Sequence, residues 1–202
     1  PIIDQYVFCK PMSLSSKSPS ISSKFINKEN YAGGSLAIAR QAAALGCNVT
    51  CSFVANNEKI TQGIFKDIKK NKMIKLDYIK NLNIPTPIKT RFIEASSKQR
   101  MFEIVDINSE SRNQEIDNKF LNKIKLNVKN SSVNIIADFG HGLINEKMID
   151  FFNKTKQFVS INVQTNSENH GFNVFSKYSR YDYLSIDEKE CRLGMHNRYF
   201  DI

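Results

Sequence analysis

A chain of 202 residues with 41% hydrophobic content can bury a sizeable core, which excludes disorder throughout. No apolar run approaches the ~20 residues needed to cross a bilayer, and no basic segment followed by an apolar one opens the chain, so a cytoplasmic protein without a membrane partner is expected. The net charge of +9 raises nucleic-acid binding, but the densest lysine run, Lys66, Lys69, Lys70, Lys72 and Lys75, interleaves with Phe65, Ile68, Met73 and Ile74 like the solvated face of an amphipathic helix and its exit. No recognised nucleic-acid motif accompanies it.

In chain order, Ile2 to Asp4 reads as the close of a strand, and Tyr6–Phe8 and Ser23–Ile26 as short strands around a serine-rich loop, Ser13 to Ser20. Gly33 and Gly34 then open a small-residue run that predicts a helix over 32–45. A helix entered through two glycines presents unpaired N–H groups and a partial positive charge to any sugar hydroxyl or phosphate, although a glycine pair alone is also an ordinary turn. Asn48–Val54 alternates as a strand, and Ile60–Asn71 carries Ile60, Ile64, Phe65 and Ile68 on one helical face.

Pro85-Thr86-Pro87 breaks the chain before two β-rich runs, 88–94 and 100–105, whose short polar link Ala95–Gln99 predicts a hairpin. Glu115–Val128 reads as a helix, Ser132–Asp138 as a buried strand, and Asn145–Lys154 as a helix capped by Asn145. Phe158–Val163 and Tyr181–Ile186 complete the strands. The alternation predicts an α/β protein with a mostly parallel sheet flanked by helices.

Several polar groups stand where ligands are commonly held. Asp138-Phe139-Gly140-His141-Gly142 follows an apolar strand and precedes a helix. His141 can exchange protons near neutrality, yet His170 and His196 lack a matched Asp and nucleophile, so no hydrolase triad is supported. The polar loop from Gln164 to Gly171 follows another strand and reads equally as a surface turn. Asp187 and Glu190 at a helix start can orient water around magnesium or can cap the helix. Cys9, Cys47, Cys51 and Cys191 are scattered, which favours buried thiols over a zinc site.

Taken together, Asp4-Gln5-Tyr6, Ala32-Gly33-Gly34 through Leu45-Gly46, Asp138-Phe139-Gly140-His141-Gly142 and Asp187-Glu188-Lys189-Glu190 resemble, in order, motifs of the ribokinase-like (PfkB) carbohydrate kinases. The nearest resemblance is to the kinase half of the heptose-phosphate kinase/nucleotidyltransferases. It implies a ribokinase-like fold in which segments of about 6–26 and 86–106 leave the α/β core as a small β lid that also supports a homodimer. It implies a sugar or sugar-phosphate substrate held by Asp4, Gly33, Gly34, Lys89, Arg91 and Asp138. It further implies ATP with Mg2+, with Asn162, Asn166, Asp187 and Glu190 facing the nucleotide.

Two departures accompany the resemblance. The family's helix carries an Asn three residues after its second glycine, where this sequence has Ala37. The family's Gly-Ala-Gly-Asp, which supplies the catalytic base and anion hole, has no counterpart in these residues. The expectation is a single truncated ribokinase-like domain over 1–202, part of a kinase that moves the ATP γ-phosphoryl to a sugar hydroxyl and inactive alone. A non-catalytic sugar or sugar-nucleotide binding module and a dimerising scaffold are the alternatives.

Overall fold

The computed structural model describes residues 1–14, 20–107, 113–166 and 169–199. Within them the chain forms two compact units, Pro1–Asn108 and Ser109–Ile202. As expected, both are α/β.

The first unit begins with β1 (Ile2–Leu14) and β2 (Ile21–Gly33), followed by α1 (Ser35–Ala44), β3 (Val49–Ala55), α2 (Lys59–Ile68), β4 (Ile74–Lys80), β5 (Ile88–Glu94) and β6 (Arg100–Asp106). One sheet runs β2-β1-β5-β6, with β1 antiparallel to β2, parallel to β5, and β5 antiparallel to β6. The other is the parallel pair β3-β4. Leu36, Ala39 and Ala43 of α1, Phe65 and Ile68 of α2, Cys51 and Phe53 of β3 and Ile74 of β4 make one core. The small residues of α1 let its backbone approach β3. The Phe53, Phe65 and Tyr78 rings fill the centre, with centroids 5.0 to 5.3 Å apart.

Three readings of this unit need correction. The short strands expected at 6–8 and 23–26 are parts of two 13-residue strands paired from Ile2 with Gly33 to Leu14 with Ile21. Lys10, Pro11, Lys24 and Lys28 are poor strand formers, but ladder hydrogen bonds outweigh their propensity. Residues 15–19 of the expected serine loop lie outside those described. Asp4 therefore sits inside β1, not at a strand end, with Tyr31 and Lys89 as its partners on either side. The helix begins at Ser35 because Ala32 and Gly33 belong to β2. The third miss is β4: Ile74, Leu76 and Tyr78 alternate with Lys75 and Asp77, a period-2 signal that the preceding lysine run obscures.

The β5–β6 hairpin closes on one carboxylate. Ser96 N, Ser96 Oγ and Ser97 N all donate to Glu94, which holds its carboxyl down to about 2, while Lys98 takes a left-handed φ of 60°. The folded value lies below the unfolded one, so this turn's stabilisation is present above pH ~4.5 and is lost as pH falls through about 2. A carbon-13 titration of the Glu94 carboxyl should therefore show a midpoint near 2. A midpoint in the ordinary carboxylate range would mean that the turn does not hold it.

The second unit orders α3 (Gln114–Lys129), β7 (Val133–Asp138), α4 (Glu146–Lys154), β8 (Phe158–Val163), a 3-10 turn at Phe175–Lys177, β9 (Tyr183–Ser185) and α5 (Glu188–Gly194). Asn113 caps α3 and, as expected, Asn145 caps α4, accepting from Glu115 N and Met148 N respectively. The sheet β7-β8-β9 is wholly parallel. Ile136, Val159, Ile161 and Val163 of this sheet are buried, whereas Val133, Ile135, Phe158 and Tyr183 are exposed. Register places Val133 beside Phe158 and Ile135 in line with Ser160 and Tyr183, so these exposed residues share one face. An open apolar face is unusual for a parallel sheet.

Among the described residues no helix is long and apolar enough to cross a membrane. Cys9 and Cys51 are buried as expected, but Cys47 at the exit of α1 is exposed. Truncating the fully buried Phe53 to Ala should cost about 3–5 kcal/mol in urea denaturation, the range for a large aromatic removed from a packed core.

Candidate functional site

In the first unit, the β1–β5 register sets Asp4 beside Lys89 and Tyr6 beside Arg91, and the β5–β6 register sets Arg91 beside Glu103. These side chains share one face because in-register neighbours point the same way. Arg91 Nη1 donates to Asp4 Oδ1 at 2.5 Å and its Nε donates to Glu103 Oε2 at 2.9 Å. The guanidinium lies 5.4 Å from the centre of the Tyr6 ring. Burial acts to lower the Arg91 pKa, but Asp4 and Glu103 more than offset it and the net shift is upward, so the residue stays charged.

Gly33 meets this cluster directly, and Gly34 follows it in the chain, packed on Ile2. A Cβ on Gly33 would collide with Asp4 Oδ2, so the carboxylate occupies space that only glycine leaves. Gly34 has φ +57°, in the left-handed region, and forms the N-cap of α1 without a side-chain cap. No acidic residue lies in the first turn of α1, and the buried Ser35 Oγ has no hydrogen-bond partner among the described residues. The structure thus brings Asp4, Gly33 and Arg91 together, with Gly34 next to Gly33 in the chain and Lys89 beside Asp4 in the ladder. It also shows that Arg91 is held by two carboxylates.

The remaining candidates belong to the second unit. Asp138, at the end of β7, is buried and fully engaged: Gly140 N donates to Oδ1, while Tyr178 OH donates to Oδ2 at 2.8 Å and Lys177 Nζ lies 2.6 Å from it. Burial, with the charge of Asp138, pushes the Tyr178 phenol up, so it remains a donor. Asn173 ties the hub by donating to the Asp138 and Gln164 carbonyls. Gly140 takes φ +69° and packs against Asn169 and Asn173 where a Cβ would clash.

The polar loop closes on the same hub. Asn166 Nδ2 donates to Phe139 O and approaches His141 Nε2 at 3.2 Å, and Asn166 and Asn169 exchange backbone-to-side-chain hydrogen bonds. Residues 167 and 168 of this loop lie outside those described. Asn162 donates to Ser185 O, stitching β8 to β9. Asp187 and Glu190 form the reciprocal capping box, and the second Glu190 oxygen accepts from Thr165 N.

Both carboxylates expected near the nucleotide and magnesium, Asp187 and Glu190, are therefore occupied by protein donors, as is Asp138, which was expected at the sugar. Among the described residues no group of three His, Cys, Asp or Glu side chains could hold a metal ion. The donor set does not fit direct magnesium ligation. A separate groove of about 310 Å³ lies at the starts of α3 and α4, lined by Asp117, Leu121, Asn145 and Lys147 among others, and contains none of the expected site residues.

Apart from Tyr6, which the Asp4-Gln5-Tyr6 run already includes, sequence reading missed Glu103, Lys177, Tyr178 and Asn173. The first had a signal: a hairpin closed by 95–99 places residue 103 opposite 91, the observed pair. The others answer to tertiary placement and carried none.

No protein-family model and no curated protein matches the sequence. Solved structures do. A phosphofructokinase-2 from Escherichia coli, crystallised with substrates and products, superposes with a TM-score of 0.73 at 12% identity, covering 100% of this chain and 62% of that one. A carbohydrate kinase from Agrobacterium tumefaciens gives 0.59 at 13% identity, covering 98% and 61%. The fold is that of the ribokinase-like sugar kinases. The chain spans about three fifths of the length of these neighbours, 61 to 62%.

Replacing Tyr178 by Phe removes one charge-assisted hydrogen bond from the buried Asp138 and should cost about 1.5–3 kcal/mol in urea denaturation. An unchanged midpoint would show that Lys177 and Gly140 suffice.

Proposed function

We propose that this chain carries the sugar-binding part of a carbohydrate kinase, one that moves the γ-phosphoryl of ATP to a hydroxyl of a sugar or sugar phosphate. The observation that carries the reading is the Asp4 carboxylate seated against Gly33 next to the glycine-entered end of α1. A carboxylate accepts several hydroxyls, and the uncapped helix end supplies donors. On this reading β1, β2, β5 and β6 form the lid over the sugar. ATP and Mg2+ follow from the family resemblance alone.

A sugar in this site would donate hydroxyls to Asp4 while the α1 N-terminus faces its oxygens. Transfer would also need a base beside the acceptor hydroxyl and donors at the moving phosphoryl, worth ~10²–10⁴ and ~10²–10³ in rate. The motif that supplies both in the resembled family does not occur in these 202 residues.

One observation favours a second copy as partner. Phe102 and Ile104 of β6 and Phe25 of β2 are exposed, and Phe92 and Phe102 stack at 4.4 Å. An apolar sheet surface of this kind suits a homodimer. The neighbouring Escherichia coli phosphofructokinase-2 has a tetrameric inhibited form.

Calorimetry with a panel of hexoses, heptoses and their phosphates should show binding to the 202-residue chain that falls at least about tenfold in Asp4→Asn and Gly33→Ala, without ATP-dependent turnover by any of them. Turnover by the chain would show that its catalytic groups are misassigned. Loss of binding to every sugar, with stable self-association, would favour the scaffold.

A further inference from the structure

The trio Asp4, Arg91 and Glu103 carries two negative charges and one positive, and its central guanidinium is mostly buried, with side-chain exposures of 18% for Arg91, 25% for Asp4 and 26% for Glu103. Arg91 spends Nη1 on Asp4 and Nε on Glu103, and the Tyr6 ring lies against the guanidinium. Arg100 approaches Glu103 only to 3.9 Å and is 62% exposed, so it does not compete for the carboxylate at hydrogen-bond distance.

We propose that Glu103 is a positioning residue: through Arg91 it fixes the Asp4 carboxylate, so that this end of the site receives a neutral pair of sugar hydroxyls and not a phosphate. The proposal rests on the sugar-site reading above. A phosphate reaching Arg91 would meet two carboxylates already bound to it and would have to displace one from a half-buried, charge-assisted bond. Two hydroxyls meet no such barrier. Asp4 Oδ1 is oriented by Arg91, and the carboxylate retains acceptor capacity on Oδ2 and on its remaining lone pairs.

The test uses the 202-residue chain with Glu103→Gln, which keeps the shape and removes the charge. D-fructose, D-mannose and their 6-phosphates are titrated calorimetrically, and the Arg91 Nε–H is followed by nitrogen-15 NMR. Wild-type protein should bind the neutral sugars at least as tightly as the phosphates, with the Arg91 Nε–H protected from solvent exchange. Glu103→Gln should shift the preference toward the phosphates by about tenfold, lower the melting temperature and weaken that protection, because a neutral amide oxygen is the poorer acceptor. Glu103→Asp, whose shorter stem draws the carboxylate away from Arg91 Nε, should show the same changes in smaller measure if Glu103→Gln does not fold.

Equal weakening of neutral and phosphorylated sugars in Glu103→Gln would overturn the proposal, because a merely structural residue behaves that way. So would a wild-type preference for phosphates above about tenfold that Arg91→Lys abolishes. If wild-type protein binds none of the four, the sugar-site reading fails. The Nε–H signal then decides the positioning role alone: weakened protection in Glu103→Gln upholds it, and an unchanged signal overturns it.

Discussion

Placing a carboxylate at Asp4 inside a sheet depends on two neighbours acting together: a guanidinium that balances its charge and a glycine that leaves room for it. Arg91 provides the first at 2.5 Å, and Gly33 provides the second by lacking the Cβ that would strike Asp4 Oδ2. Neither suffices alone. A side chain at position 33 would push the carboxylate away, and without Arg91 a partly buried charge would lack its partner, a costly state. β1 holds Asp4 between β2 on one side and β5 on the other.

The second unit solves a similar problem differently. Asp138 is more deeply buried than Asp4, and it is satisfied by three donors from its own unit. That saturation makes it a brace for the loops beyond β7 and β8. Asn173, Asn166 and Asn169 extend the brace through carbonyls, so the polar run that reads as a nucleotide-facing loop is largely committed to holding itself in place. Glu190 shows the same economy, since its two oxygens serve the α5 cap and Thr165.

Legibility in the sequence tracked locality. The β5–β6 hairpin, the Asn145 cap and the Asp187–Glu190 box are set by residues within a few positions of each other, and each was readable. The full extent of β1 and β2 was not, because exposed lysines and asparagines hide a strand whose register is fixed by pairing alone. At the site, Asp4, Gly33 and Arg91 were legible as a group. The fact that Arg91 faces two carboxylates required the Glu103 register, and the side-chain partners of Asp138, Lys177 and Tyr178, lie about 40 residues away where no spacing announces them.

The decisive measurement is a crystal structure of the chain soaked in a neutral hexose. Sugar density is expected with two hydroxyls within hydrogen-bond distance of Asp4, the ring lying over Gly33 and the start of α1, and Arg91 still bridging Asp4 and Glu103. Density at a site away from Asp4, or an Asp4 carboxylate that no hydroxyl reaches at saturating sugar, would contradict this placement.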